Sequence, residues 1–145
     1  MSQVEFWHHH LGVSVPDLEA SIQWYADVLG FELEHRAHIP SIPADIAFVR
    51  NGPMRVELFQ APDAAALPDG RRIPDEDIKT HGNKHVSFAC DDVKVLAEVL
   101  RERGADIVWV KDFGNGKANC FLRDNAGNLI EFVQAERPSG KIGGL

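Results

Sequence analysis

Four residues of the sequence combine side-chain types and spacings that suit metal chemistry. His10 and His85 each open an apolar run, in "HLGVSV" and "HVSFAC", and lie 75 residues apart. Glu57 and Glu131 each stand inside an apolar run, in "RVELF" and "LIEFV", and lie 74 residues apart. An ionised carboxylate in such a strand needs a partner. A neighbouring arginine or solvent would satisfy one glutamate alone, but a divalent ion satisfies two imidazoles and two carboxylates together.

The near-constant spacing predicts an internal repeat that brings these residues together. "DLEASIQWYADVLG" has helical apolar spacing from an N-cap at Asp17 to a terminating Gly30, and "DVKVLAEVLRERG" repeats this from Asp92 to Gly104. Each helix follows a strand that begins at one of the two histidines, and strand-like runs come after it. We therefore predict an α+β fold of two tandem βαβββ modules.

Strand alternation selects His10 from the triplet at positions 8 to 10. Alternate residues of a strand point to one face, so His10 shares a face with Gly12 and Ser14. Small residues on that face leave room for a ligand in front of the sheet. His8 could line the same face at the end of the strand, whereas His9 is expected to face the helix layer or an edge.

Changes in composition along the chain determine the predicted boundaries of the modules, the linker and the tail. The first module is expected at residues 5–60, a polar linker rich in Pro, Gly and Asp at 61–82, the second module at 83–135 and a tail at 136–145, with 5–135 forming one domain. The segment "HRAHIPSIPADIAF" and the linker are expected to form loops at the mouth of a cavity. Three arginines in these segments could contact a ligand or could simply be solvated loop residues: Arg36, Arg71 and Arg72. The same alternatives hold for Lys117 and Asn119.

The overall charge and the cysteines narrow the partners and the compartment. The 145 residues carry a formal net charge of −7, which disfavours nucleic acid and anionic membrane surfaces and favours a small-molecule substrate. Cys90 and Cys120 lie in apolar runs without metal-site spacing, which indicates free thiols in a reducing compartment. No apolar run has the length of a membrane span, so a cytoplasmic location is predicted. Exposed sheet edges suggest a homodimer.

The segments "HLGVSVPDLEASIQWYADVLGF", "RVELF", "KHVSFACDD" and "DNAGNLIEF" together resemble the vicinal oxygen chelate superfamily, which includes glyoxalase I, methylmalonyl-CoA epimerase and extradiol dioxygenases. The resemblance spans about residues 5–135. It implies that the two modules form an incomplete, metal-centred barrel. The positions that match the family's metal ligands are His10, Glu57, His85 and Glu131.

The ligand set resembles the glyoxalase I branch, whose reactions move a proton next to a carbonyl. The resemblance implies one divalent ion (Ni, Co, Mn, Zn or Fe), bound within one chain or between chains. A substrate is chelated through two adjacent oxygens, and the ion acts as a Lewis acid. It further implies that Glu131 removes the proton and that Glu57 is the candidate for returning it.

Two residues of this chain differ from the pattern of glutathione-using glyoxalases, and both differences concern substrate binding. Glutathione-using glyoxalases carry an Arg four residues after the first histidine and an Asn four residues after the first glutamate, where this chain has Ser14 and Ala61. The predicted function is therefore a metal-dependent lyase or isomerase that need not use glutathione. The alternatives are a ring-cleaving dioxygenase, which Glu57 disfavours, and a non-catalytic protein that sequesters a ligand, which the complete ligand set disfavours.

Overall fold

A computed structural model describes residues 2–138, and the chain divides into two compact units, Met1–Ala66 and Leu67–Leu145. Unit 1 contains one long helix and four strands. In chain order these are β1 (Leu11–Ser14), α1 (Leu18–Leu29), β2 (Glu32–Ile39), β3 (Ala44–Asn51) and β4 (Met54–Gln60). The strands form one open sheet in the order β1-β4-β3-β2, in which β1 and β4 are parallel and the other pairs are antiparallel.

Unit 2 repeats this plan after a short helical segment. A 3₁₀ turn (Asp69–Arg72) and α2 (Pro74–Asp77) precede β5 (Val86–Cys90), α3 (Val93–Glu102), β6 (Asp106–Gly114), β7 (Lys117–Arg123) and β8 (Leu129–Gln134). The sheet order is β5-β8-β7-β6, with β5 parallel to β8. The prediction of an α+β chain built from two tandem βαβββ modules is confirmed.

The registers of the two parallel strand pairs show that the repeat extends to single residues. Gly12 lies opposite Glu57 in unit 1, and Ser87 lies opposite Glu131 in unit 2. Both histidines stand one residue before the strand, at His10 and His85. The duplication therefore sets each histidine beside the glutamate of its own sheet.

The long helices begin with the same pair of hydrogen bonds. The Asp17 side chain accepts from the Ala20 amide at 3.1 Å, and Gln60 Oε1 accepts from the Leu18 amide at 2.6 Å. In unit 2 Asp92 and Gln134 do the same for the start of α3. These side chains satisfy amides that have no partner inside the helix and tie each helix to the end of the neighbouring strand. The glutamines are a part of the repeat that sequence analysis missed.

Each unit has its own apolar core between the helix and one face of the sheet. In unit 1 the fully buried side chains include Tyr25, Val49, Val56 and Leu58; in unit 2 they include Val93, Leu122 and Ile130. The predicted alternation along β1 holds, because Leu11 and Val13 are partly covered while Gly12 and Ser14 are exposed. The helix thus covers one face of each sheet, and the histidine and glutamate belong to the other.

In two segments the secondary structure differs from the expected loops. Most of "HRAHIPSIPADIAF" forms β2 and β3, with Pro40 and Pro43 in the turn between them, so His35 and His38 lie in a strand. The linker contains the two short helical elements, and its Asp77 is buried beside Arg71 Nε at 2.5 Å and Lys84 Nζ at 3.2 Å. Of the predicted tail, residues 139–145 lie outside the described residues.

The turn before β8 is organised by one buried carboxylate. Asp124, only 4% exposed, accepts hydrogen bonds through Oδ1 from the amides of Ala126 and Asn128, each at 2.9 Å, and its two oxygens also bind the Asn128 side chain. Gly127 turns the chain at φ +90°, and a Cβ there would meet Arg72 Cζ at 2.8 Å. This turn directs the chain into the strand that carries Glu131.

Replacing Asp124 by Ala is expected to lower the free energy of unfolding by about 2–3 kcal/mol, because the turn loses an ionised acceptor and leaves buried donors unsatisfied. Chemical denaturation of the full chain measures the change. Glu102→Ala is the control, since it removes an exposed carboxylate at the end of α3 and should change stability by less than about 0.5 kcal/mol. Equal stability of the two variants would contradict this role for Asp124.

Within the described residues, none of the helices is both long enough and apolar enough to cross a membrane.

Candidate metal-binding half-sites

The first half of the candidate site is formed by His10 and Glu57. His10 Nε2 lies 3.4 Å from Glu57 Oε1, and the side chains are 34% and 15% exposed. The imidazole meets the Phe48 ring edge to face, with centroids 5.1 Å apart at 80°. Phe48 is the residue opposite Glu57 across β3 and β4. An aromatic ring therefore supports the histidine while its Nε2 faces the carboxylate.

The second half repeats this arrangement with His85 and Glu131. His85 Nε2 lies 3.6 Å from Glu131 Oε1, and the side chains are 29% and 15% exposed. Phe121, opposite Glu131 across β7 and β8, meets the imidazole with centroids 4.8 Å apart at 79°. The two units thus present the same three side chains in the same geometry, which a chance ion pair on one sheet would not reproduce.

The donor atoms in each half fit a bound cation. Two ligand atoms about 2.1 Å from one ion, at roughly 90–110° to each other, lie about 3.0–3.4 Å apart. The Nε2 to Oε1 distances of 3.4 Å and 3.6 Å are close to that range. A neutral imidazole and a carboxylate together suit first-row divalent metals. Each pair is therefore chemically suited to supply half of a metal site, and we call these pairs the His10/Glu57 and His85/Glu131 half-sites.

The structure pairs the four predicted ligands within the units, His10 with Glu57 in unit 1 and His85 with Glu131 in unit 2. Among residues 2–138, no three or more side chains of His, Cys, Asp or Glu are grouped so that they could hold a metal ion. The two half-sites lie in different units of the chain. That all four residues bind one ion, and that the glutamates transfer protons, remain predictions.

The two half-sites differ in what else touches the glutamate. In unit 2, Asn119 Nδ2 donates to Glu131 Oε2 at 3.0 Å, and Trp109 Nε1 donates to Asn119 Oδ1 at 3.2 Å. Asn119 lies in β7 and not in a loop, and its contact is with Glu131. Sequence analysis missed Trp109. The sequence gives only a weak indication of its role, namely that an indole N–H needs a hydrogen-bond acceptor when the side chain is partly buried in an edge strand.

His9 is exposed and directly precedes β1, an edge strand, so of the two expected positions it is not at the helix layer. Its Nδ1 lies 2.7 Å from His10 Nδ1, and the two ring centroids are 5.0 Å apart. One of these nitrogens must donate and the other accept. When His10 Nδ1 carries the proton, its Nε2 presents a lone pair toward Glu57. His9 is thus placed to orient the candidate ligand.

Two of the three arginines expected at a cavity mouth, Arg36 and Arg71, have partners inside their own units. Arg36 forms an exposed ion pair with Glu19, and its hydrogen bond lowers the pKa of the Glu19 carboxyl. Arg71 pairs with Asp77 and donates to the Asn83 carbonyl at 3.0 Å. These contacts are surface and linker interactions, and none of them involves the half-sites.

The cysteines do not add ligands. Both are free thiols, as predicted, with Cys120 buried and Cys90 partly covered. Burial raises the pKa of Cys120 to about 11, so it remains a protonated thiol at neutral pH. A thiol binds metals and attacks carbonyls as its thiolate. Within residues 2–138, neither thiol joins a His–Glu pair in a cluster of three or more side chains that could hold a metal ion.

Comparison with known proteins shows the family of the chain. The model of the Glyoxalase/Bleomycin resistance protein/Dioxygenase superfamily matches residues 7–132, which include both half-sites. The chain belongs to this superfamily. Among similar proteins of the superfamily, the mitochondrial methylmalonyl-CoA epimerase of Bos taurus is 30% identical over 131 residues, covering 88% of this chain and 73% of that protein.

Two further relatives extend the comparison. The lactoylglutathione lyase of Haemophilus influenzae is 26% identical over 140 residues, covering 92% of this chain and 96% of that protein. The crystal structure of a glyoxalase family protein from Enterococcus faecalis superposes with a TM-score of 0.73 at 22% identity, over 88% of this chain and 96% of that one. The fold is therefore that of the superfamily, and the Bos taurus and Haemophilus influenzae relatives are named as an epimerase and a lyase.

Proposed function

We propose that the protein is a divalent-metal-dependent isomerase or lyase that transfers a proton next to a carbonyl. The observation that supports it most is the repeated half-site, in which each unit sets a histidine nitrogen beside a glutamate oxygen in a sheet. His10, Glu57, His85 and Glu131 would hold the ion, which would be Ni, Co, Mn, Zn or Fe. When bound, such an ion acts as a Lewis acid toward oxygens of the substrate.

The protein's own groups would carry the proton. Glu131 is the proposed base, because it is a mostly covered carboxylate on the open face of its sheet and its Oε2 is held by Asn119. Glu57, with the same 15% exposure in the other half-site, is the proposed group that returns the proton. A positioned carboxylate of this kind contributes roughly 100-fold to 10,000-fold to the rate of proton transfer. The histidines would remain ligands throughout.

Two substrate classes follow from the named relatives: acyl-CoA thioesters and hemithioacetals. Ser14 and Ala61 stand where an Arg and an Asn are expected for gripping glutathione, and neither side chain replaces a guanidinium or a carboxamide. We therefore propose a carbonyl substrate with a neighbouring acidic C–H, for which glutathione is not required.

A complete site needs one His10/Glu57 half-site and one His85/Glu131 half-site. We propose that this site assembles in a homodimer. The four ligands would meet within one chain or between units of two chains. The open sheets support a dimer, because each has unpaired edges at its outer strands, β1 and β2 in unit 1 and β5 and β6 in unit 2.

Metal analysis of protein purified without chelator tests the proposal. We expect close to one bound divalent ion per chain, or uptake of one on titration with Ni²⁺, Co²⁺, Mn²⁺, Fe²⁺ or Zn²⁺. Less than about 0.2 equivalents with no uptake would refute it. The loaded protein is then incubated in D₂O with α-hydroxy ketones, hemithioacetals and acyl-CoA thioesters. Deuterium entering the position next to the carbonyl supports proton transfer, whereas oxygen uptake with catechols under Fe²⁺ would favour a dioxygenase.

A further inference from the structure

We propose that Asn119, oriented by Trp109, is a positioning residue for Glu131, so that the two carboxylates of the repeat are not equivalent. This inference rests on the proposed function and adds to it a difference between the half-sites. In unit 2 a continuous chain of hydrogen bonds runs from Trp109 Nε1 to Asn119 Oδ1 at 3.2 Å and from Asn119 Nδ2 to Glu131 Oε2 at 3.0 Å. We call these three residues the indole-amide relay.

The relay determines which oxygen of Glu131 does not accept a hydrogen bond from Asn119. Oε2 accepts from the amide, while Oε1 is the oxygen that lies 3.6 Å from His85 Nε2. The indole N–H can only donate, so it holds the carbonyl oxygen of Asn119 and thereby directs the NH₂ group toward the carboxylate. A carboxylate held at one oxygen keeps its position when the other oxygen changes partner. The relay therefore retains Glu131 at the site during a proton transfer.

In the part of the chain that the structure describes, residues 2–138, unit 1 lacks this relay, although it repeats the His–Glu pair and the phenylalanine beside the imidazole. The register partner of Phe48 in β2 is His35, whereas the register partner of Phe121 in β6 is Trp109. Two residues before these phenylalanines stand Ile46 in unit 1 and Asn119 in unit 2.

Within residues 2–138, Glu57 has no amide donor in the place that Asn119 occupies beside Glu131, and its described contact is with His10. Both glutamate side chains are 15% exposed, so a difference in burial does not explain the difference in hydrogen bonding.

A single-tryptophan protein makes the relay observable without a substrate. Trp7→Phe and Trp24→Phe leave Trp109 as the one indole of the chain. In the metal-free protein we expect Glu131→Gln to change the emission of Trp109, because Gln offers Asn119 both an acceptor and a competing donor. The matched Glu57→Gln change in the other half-site should leave the emission unaltered. Equal emission in all three proteins would overturn the relay.

Zinc titration then tests whether the relay acts on the half-site. Asn119→Leu removes the donor, and Asn119→Asp keeps the acceptor for Trp109 but cannot donate to Glu131. Calorimetry should show that both variants bind Zn²⁺ roughly tenfold to 100-fold more weakly than the single-tryptophan parent, as for loss of other partners of a metal ligand. In the parent, Zn²⁺ should change Trp109 emission, and in Asn119→Leu this response should be lost.

The outcomes separate the inference from the proposed function. Zinc binding of equal strength in the parent and both Asn119 variants would overturn the inference and leave the proposed function standing. Absence of zinc binding in the parent, together with no uptake of Ni²⁺, Co²⁺, Mn²⁺ or Fe²⁺, would overturn both. In the deuterium-exchange assay the Asn119 variants should lose kcat with little change in KM. Chemical denaturation of the same proteins separates this from unfolding, because unfolded protein also lowers the apparent kcat at an unchanged KM.

Discussion

Replacing Glu131 by Gln is expected to lower the rate of deuterium exchange into a substrate by roughly 100-fold to 10,000-fold, while measurable metal remains bound. The amide of Gln keeps one oxygen acceptor, but it cannot take a proton. Metal affinity should fall as well, because Asn119 donates to the outer oxygen of Glu131. The single oxygen of Gln would satisfy that donor and turn its NH₂ toward the histidine. The exchange rate must therefore be compared at saturating metal.

Glu57→Gln is the matched control, since it makes the same change at the equivalent residue of the other half-site. If Glu131 removes the proton and Glu57 returns it, this variant should still exchange deuterium into the substrate, because the base is intact, yet form little product. A wild-type exchange rate in Glu131→Gln would remove Glu131 from the role of base. Loss of exchange in Glu57→Gln alone would reverse the two roles.

The four candidate ligands could be predicted because they stand at equivalent positions of the internal repeat. Strand, N-cap, helix and turn recur at offsets of 74 and 75 residues, and the structure places each predicted glutamate opposite the residue two positions after its histidine. Alternation along β1 also determines which face carries the site. Local rules were sufficient here, because position in a strand fixes side-chain direction when the pairing is regular.

The indole-amide relay could not be predicted in this way. Its contact between Trp109 and Asn119 runs diagonally between β6 and β7, and the pairing register shifts between Ile107 and Trp109. Such an irregularity redirects the side chains that follow it, and no spacing in the sequence indicates where it occurs.

Composition alone does not predict the secondary structure of two segments. Pro40 and Pro43 correctly indicate a turn, but the strands on either side of it, β2 and β3, are not evident from the composition of that segment. The polar composition of the linker does not indicate that Asp77 is buried, with its charge balanced by Arg71 and Lys84. A buried carboxylate with two cationic partners depends on how the chain packs in three dimensions.

His10→Ala and His85→Ala are expected to weaken Zn²⁺ or Co²⁺ binding by about 100-fold or more each, since direct ligands should matter at least as much as their partners. Because the half-sites have the same geometry, the two variants should lose affinity to a similar extent. Calorimetry and metal analysis measure the affinity and the stoichiometry. His38→Ala is the control, because that histidine is exposed and paired with Asp45 at 2.8 Å.

The stoichiometry of these variants distinguishes one shared ion from two independent ones. If both half-sites hold a single ion, the wild-type protein binds one ion per chain and either histidine variant loses it. Two ions in the wild type and one in each variant would mean that every half-site acts alone, and the shared site would be wrong.

Mixing the two histidine variants then shows whether the ligands come from one chain or from two. In a dimer whose sites combine unit 1 of one chain with unit 2 of the other, a mixed dimer has one site that lacks both histidines and one that lacks neither. After unfolding and refolding an equal mixture, about a quarter of the wild-type sites should return. Sites built within one chain would show no recovery, because every chain in the mixture lacks one histidine.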